Sequence, residues 1–120
     1  MTDFRVVDVP GMLSVPAKVR DEDGNELADP DWNREAAETQ YVLAEFLVAR
    51  GLVPARASVD RTPDLVIHWS ELSDSGQAFI KSDYSKWMKS TDRRGTTEAV
   101  KAAKLEKRWQ KFTREPPAKA

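Results

Sequence analysis

Apolar residues recur along the chain with changing rhythm, and each change marks an element. Phe4, Val6, Val7 and Val9 make a short run stopped by Pro10-Gly11, which predicts a strand over residues 4–9. Residues 17–21 and 25–27 flank Asp23-Gly24, a pair suited to the positive φ of a tight turn, so a β-hairpin is expected there. From Pro30 to Arg50 the period becomes helical: Trp32, Ala36, Leu43 and Leu47 share one face, and Val42 and Phe46 widen it. Asp29 suits the cap, Pro30 the first position, and Asp31 and Glu35 the positive end of the helix dipole. Gly51 supplies a left-handed residue past the end, after which Leu52 can fold back on Leu47.

Leu65-Val66-Ile67-His68-Trp69, preceded by Thr62-Pro63-Asp64, reads as a further strand. Two readings stay open after Leu72. Ile80, Tyr84, Trp87 and Met88 share a helical face with Ser73 or Asp74 as cap, whereas residues 77–81 alone could pair with 65–69 as a strand. The longer periodicity favours the helix. A last helix is expected from near Gly95 or Thr96, helped by Glu98, to about Thr113, with Pro116-Pro117 ending it. In it Ala102, Leu105, Trp109 and Phe112 recur at 3-4-3 spacing, and Lys101, Lys104, Arg108 and Lys111 repeat that spacing one residue earlier. The expected fold is therefore α+β: one small domain over 1–115, with N-terminal short strands and a hairpin, a long central helix, a further strand and a helical C-terminal third. Residues 116–120 are expected to form a tail. The expected core contains Trp32, Leu43, Phe46, Leu47, Leu65, Ile67, Ile80 and Leu105.

Composition narrows the chemistry. The 120 residues include no Cys and one His, which removes thiolate metal sites, thiol catalysis and His-rich metal sites. The longest apolar run, Phe46-Leu47-Val48-Ala49, is far short of the roughly 20 residues of a membrane span, so a cytoplasmic protein is expected. Five widely spaced glycines make neither a phosphate loop nor a dinucleotide fingerprint. Asp21, Asp23 and Asn25 resemble the start of a calcium loop, but Gly24 falls at position 4 instead of 6, and Trp32 stands where Glu is needed. His68 lacks a nucleophile pattern near it and reads as a packed or half-exposed strand residue. No catalytic residue, metal or cofactor is expected.

Charge changes the picture more. Residues 1–80 carry a net −8 and residues 81–120 a net +7, although the whole chain is only −1. Such a split suits attraction between the halves, within or between molecules, or a polyanionic partner for the basic third. The leading expectation is a non-enzymatic interaction protein, an adaptor, inhibitor or small subunit, that holds a protein partner or a second copy of itself. Its expected contact residues are Lys101, Lys104, Arg108 and Lys111, exposed along the last helix, with Arg93 and Arg94 before it; Lys107 and Arg114 add to the same edge.

The alternative is nucleic-acid binding, with Lys81, Lys86 and Lys89 joining those cations on phosphates and Trp87 or Trp109 stacking on bases. Residues 47–56, Asp60-Arg61, 65–67 and 72–79 resemble the recognition-helix end, wing and following helix of MarR-type winged-helix regulators. That resemblance covers about a third of the chain and implies DNA contact through the long helix and the wing. Residues 4–27, where that family has further helices, read here as strands and a hairpin.

Overall fold

A computed structural model of the chain describes residues 4–16, 18–91 and 96–114. The expected tail and the candidate contact residues Arg93 and Arg94 lie outside the described residues. The protein is a small α+β domain. Strand β1 (Arg5–Asp8) runs directly into helix α1 (Val9–Ser14). The expected strand through Val9 therefore ends one residue early, and Pro10-Gly11 opens a helix instead of stopping the strand. Pro lacks an N–H, and the first turn of a helix needs none there. Asp8 makes the switch, because its Oδ1 accepts from the Gly11 N–H at 3.0 Å while its own N–H is taken by Gln40 Oε1 at 3.0 Å.

The hairpin forms as expected, with β2 (Lys18–Arg20) antiparallel to β3 (Glu26–Ala28) and Val19 opposite Leu27. Asp21 Oδ1 accepts from both the Asp23 and Asn25 N–H groups at 2.9 Å, tying the turn to its own acidic residue. All three β3 residues are exposed, as are Lys18 and Arg20.

Helix α2 (Pro30–Ala49) is the central wall. Asp29 Oδ1 accepts from the Trp32 N–H at 3.2 Å, so the cap is the one the sequence predicts. At the other end Gly51 has φ +69°, the Leu52 N–H bonds to Leu47 O at 2.9 Å and the Gly51 N–H to Val48 O at 3.0 Å. Those two bonds are a Schellman motif, and they satisfy carbonyls the helix would otherwise leave open. Leu43, Ala44 and Leu47 are fully buried, and Phe46 packs at the core margin. Trp32 departs from the expected core at 37% exposure. The neighbouring Asn33 anchors the end of α1, donating to Met12 O at 2.7 Å and Val15 O at 2.8 Å, so α1 covers that side of the first turn and leaves the indole outside.

Strand β4 (Val66–His68) pairs antiparallel with β1, Val7 opposite Ile67. Trp69–Glu71 form a single 3-10 turn, so the strand stops short of Trp69. Helix α3 (Asp74–Thr91) resolves the open reading in favour of helix. Ser73 caps it, its hydroxyl accepting from the Gly76 N–H at 3.1 Å, while the Ser73 N–H reaches back to Leu52 O at 2.8 Å. Helix α4 (Glu98–Arg114) packs on both α2 and α3. Phe46, Phe79, Trp109 and Phe112 close the core there, with Phe79 5.2 Å from Trp109 and 5.4 Å from Phe112 between ring centres, both edge-on. Among the described residues, no helix is long and apolar enough to cross a membrane.

Candidate functional site

Helix α4 divides its charges by flank. Its two acidic residues face α2 and the loop after it: Glu106 pairs with Arg50, and Glu98 accepts from Arg61 at 2.5 Å. Arg61 also grips Glu45 with two hydrogen bonds of 2.8 and 3.0 Å and lies over the Tyr41 ring, so one side chain joins the 57–64 loop to both helices. The hydrogen bond from Arg61 holds the Glu98 carboxyl below its ordinary range, against the opposing pull of burial. Both carboxylates of α4 are thereby occupied on one side.

The other flank carries cations. Ser90, Lys104, Lys107, Arg108 and Lys111 line a shallow hollow of about 250 Å³ between the end of α3 and α4. Lys104 Nζ donates to Ser90 O at 2.5 Å, in the last turn of α3, where the carbonyl end of a helix favours a cation. Arg108 reaches Asp83 Oδ1 at 3.4 Å, and Asp83 is steadied by the Ser82 hydroxyl, which donates to Oδ2 at 2.5 Å. Lys107 and Lys111 are exposed. An ammonium has three donors and a guanidinium five, so Lys104 and Arg108 keep donors for a ligand beyond these contacts. The hollow offers charged hydrogen-bond donors to carboxylate or phosphate oxygens.

The four expected contact residues on α4 do not all stand together. Lys104, Arg108 and Lys111 share the hollow, but Lys101 is buried at 4% exposure and points the other way, its ammonium donating to Thr39 Oγ1 at 2.7 Å. The expected exposure of Lys101 is therefore corrected, and so is its neighbour: Ala102, placed on the buried stripe by the 3-4-3 spacing, is exposed. Positions 101 and 102 both lie one turn before Leu105, so either could share its face. Packing of Trp87 decides between them. This fully buried indole donates to Lys101 O at 3.0 Å, which sets the α3–α4 seam at residue 101 and turns Ala102 toward the groove beside α2. Ser90 and Asp83 were not anticipated. The one sequence signal for Ser90 is its place in the last turn of a helix, where a cation is favoured.

The surfaces that the winged-helix resemblance would use look different. Residues 53–65 form turns and loop without strand pairing, and β4 bonds to β1, so no wing hairpin stands there. Along α2 the solvent side carries Asp31, Glu35, Glu38 and Glu45, and Arg34 pairs with Asp31 at 3.0 Å and lies 3.9 Å from Glu38. Such a face repels phosphates. Trp87 is buried, and the partly buried Trp109 packs against Phe46, Phe79 and Phe112.

His68 is half-exposed, with Nδ1 3.6 Å from Glu71 Oε2. Glu71 is committed to structure: it accepts from the His68 N–H at 2.8 Å and from Arg56 Nε at 3.0 Å, and Arg56 also binds Val66 O at 2.8 Å. Among the described residues no three His, Asp or Glu side chains gather as metal ligands. Comparison of the chain with protein-family models, with curated proteins and with solved structures finds no match.

Proposed function

We propose that the protein is a non-enzymatic interaction protein, working without a cofactor, that holds an acidic protein surface in the hollow formed by Ser90, Lys104, Lys107, Arg108 and Lys111. The observation that carries this reading is the sorting of charge on α4, where both carboxylates are paired toward α2 and the loop while four cations converge on the opposite flank. Opposed potentials of that kind speed encounter and reject wrong partners more than they add raw affinity. Among the described residues Asp83 is an acidic side chain bonded to a cation of the hollow, and its single contact of 3.4 Å leaves other Arg108 donors available.

Nucleic acid is the second reading, supported by the exposed Lys81, Lys86 and Lys89 on α3. With Trp87 buried and Trp109 packed against the core, it rests mainly on phosphate contacts, which give affinity without sequence preference.

Fluorescence anisotropy with a labelled glutamate-rich peptide and with a single-stranded oligonucleotide of equal charge separates the two. The peptide is expected to bind at low salt, and Lys107→Glu/Lys111→Glu is expected to weaken it roughly tenfold or more while leaving the fold intact, since both positions are exposed. Peptide binding that is unchanged in the double variant overturns the proposal. Tighter binding of the oligonucleotide, with a steep loss on adding salt, favours the second reading.

A further inference from the structure

The described side chains of the two hairpin strands all lie at the surface. Lys18, Arg20, Glu26, Leu27 and Ala28 are all exposed, Leu27 at 50%, and Lys18 pairs with Glu26 at 3.2 Å within the hairpin itself. A lone two-stranded hairpin is marginal in water and gains from a further contact. The molecule is long, 55 × 29 × 26 Å, with a radius of gyration of 15.8 Å; a compact chain of this length would have about 14 Å.

At its tip stand Asp21, Glu22 and Asp23. Asp21 turns its carboxylate inward onto the Asp23 and Asn25 N–H groups, which leaves Glu22 and Asp23 as exposed carboxylates at the turn. The hollow on α4 is the chemical complement, a shallow depression of about 250 Å³ with Lys104, Lys107, Arg108 and Lys111 around it. The net charges of −8 and +7 on the two parts of the chain nearly cancel, so copies are not held apart by overall repulsion.

From this complementarity we infer that the partner of the hollow is a second copy of this chain, seated by the Glu22 and Asp23 carboxylates of its hairpin tip. The inference rests on the reading of the hollow as an acceptor of acidic protein groups and names the group. The contact joins two different patches, so each copy brings both an acidic tip and a basic hollow.

Sedimentation velocity on the full chain and two variants tests it. Wild type is expected to self-associate in a concentration-dependent way at low salt and to dissociate when salt is raised to about 0.5 M, where screening reaches only a few ångströms. Glu22→Lys/Asp23→Lys and Lys107→Glu/Lys111→Glu are each expected to weaken association by roughly tenfold or more, because each sets like charges against each other. Mixed together, the two variants are expected to associate again, since the native hollow of the first meets the native tip of the second. A wild type that stays monomeric at low salt, reversals without effect, or a mixture that does not associate each overturns the inference. If wild type is monomeric while the glutamate-rich peptide still binds and is lost in Lys107→Glu/Lys111→Glu, the second copy is the wrong occupant and the hollow keeps its role. If that peptide is also indifferent to the double variant, the hollow itself is wrong.

Discussion

Lys101 and Thr39 meet where α4 crosses α2, the ammonium donating to the threonine hydroxyl at 2.7 Å and the hydroxyl donating in turn to Glu35 O at 3.0 Å. A lysine in this place is held by shape, by the threonine hydroxyl and by attraction to the Glu98 carboxylate, which Arg61 also holds. Lys101→Met keeps the length of the stem and removes the charge; Thr39 retains its bond to Glu35. Stability is expected to change by less than about 1 kcal/mol or to rise, as for other buried charges replaced by apolar groups of similar volume. Thr39→Val takes the acceptor from a buried ammonium and is expected to cost about 1–3 kcal/mol. Urea midpoints of the two variants check this, and a larger loss for Lys101→Met than for Thr39→Val would contradict it.

The end of α2 depends on Gly51 at φ +69°. Gly51→Ala puts a Cβ into left-handed backbone and is expected to cost about 1–2 kcal/mol. Leu47, fully buried beneath that turn, should cost about 2–5 kcal/mol when truncated to Ala. Equilibrium unfolding by urea measures both, and a neutral Gly51→Ala would mean that the Schellman turn is not what closes the helix.

Acid should loosen the protein through Glu71 and Glu98. For Glu71 burial raises the pKa, but the His68 N–H and the Arg56 guanidinium outweigh it and hold the carboxyl below its ordinary range; the Arg61 hydrogen bond does the same for Glu98. Each group then binds a proton less readily when folded than when unfolded. The stability they contribute is present above the unfolded value of about 4.3 and is lost as pH falls through the lower folded values. The urea midpoint is expected to fall on acidification below about pH 5, and Glu71→Gln is expected to flatten part of that fall. An equally steep fall in Glu71→Gln would assign it to other groups.

Much of this architecture is legible in the sequence where one physical cause acts alone. Helix α2 has a cap, a first-position proline, a buried face and a left-handed stop that agree, and its bounds follow. The hairpin follows from Asp23-Gly24 in the same way. Where two causes compete, local pattern is not enough. Pro10-Gly11 serves equally to end a strand or to start a helix, and Asp8, capping from outside the helix, settles it. Trp32 has the right period and the wrong neighbours. Positions 101 and 102 are both compatible with Leu105 below them, and the choice is made by Trp87, from another helix. Of the candidate site, the stripe of Lys104, Arg108 and Lys111 is visible in the spacing, whereas Ser90 and Asp83 enter through the packing of α3 against α4.

Asp83 provides a gain-of-binding test. Its bond to Arg108 occupies part of the one guanidinium in the hollow, and Asp83→Asn removes the competing carboxylate with little change in size. Affinity for the glutamate-rich peptide is expected to rise by roughly threefold to tenfold, a charge effect that added salt erases. Isothermal titration at two salt concentrations measures it; weaker binding in Asp83→Asn would mean that Asp83 orders Arg108 for the ligand instead of competing with it.

The most direct measurement of the central claim is residue-resolved: two-dimensional amide NMR of the labelled protein, titrated with the glutamate-rich peptide at low salt. Binding in the hollow predicts that the largest shifts gather at Ser90, Lys104, Lys107, Arg108 and Lys111, with the acidic face of α2 from Asp31 to Glu45 undisturbed. Shifts centred away from the end of α3 and the basic flank of α4, or none at all, would contradict it.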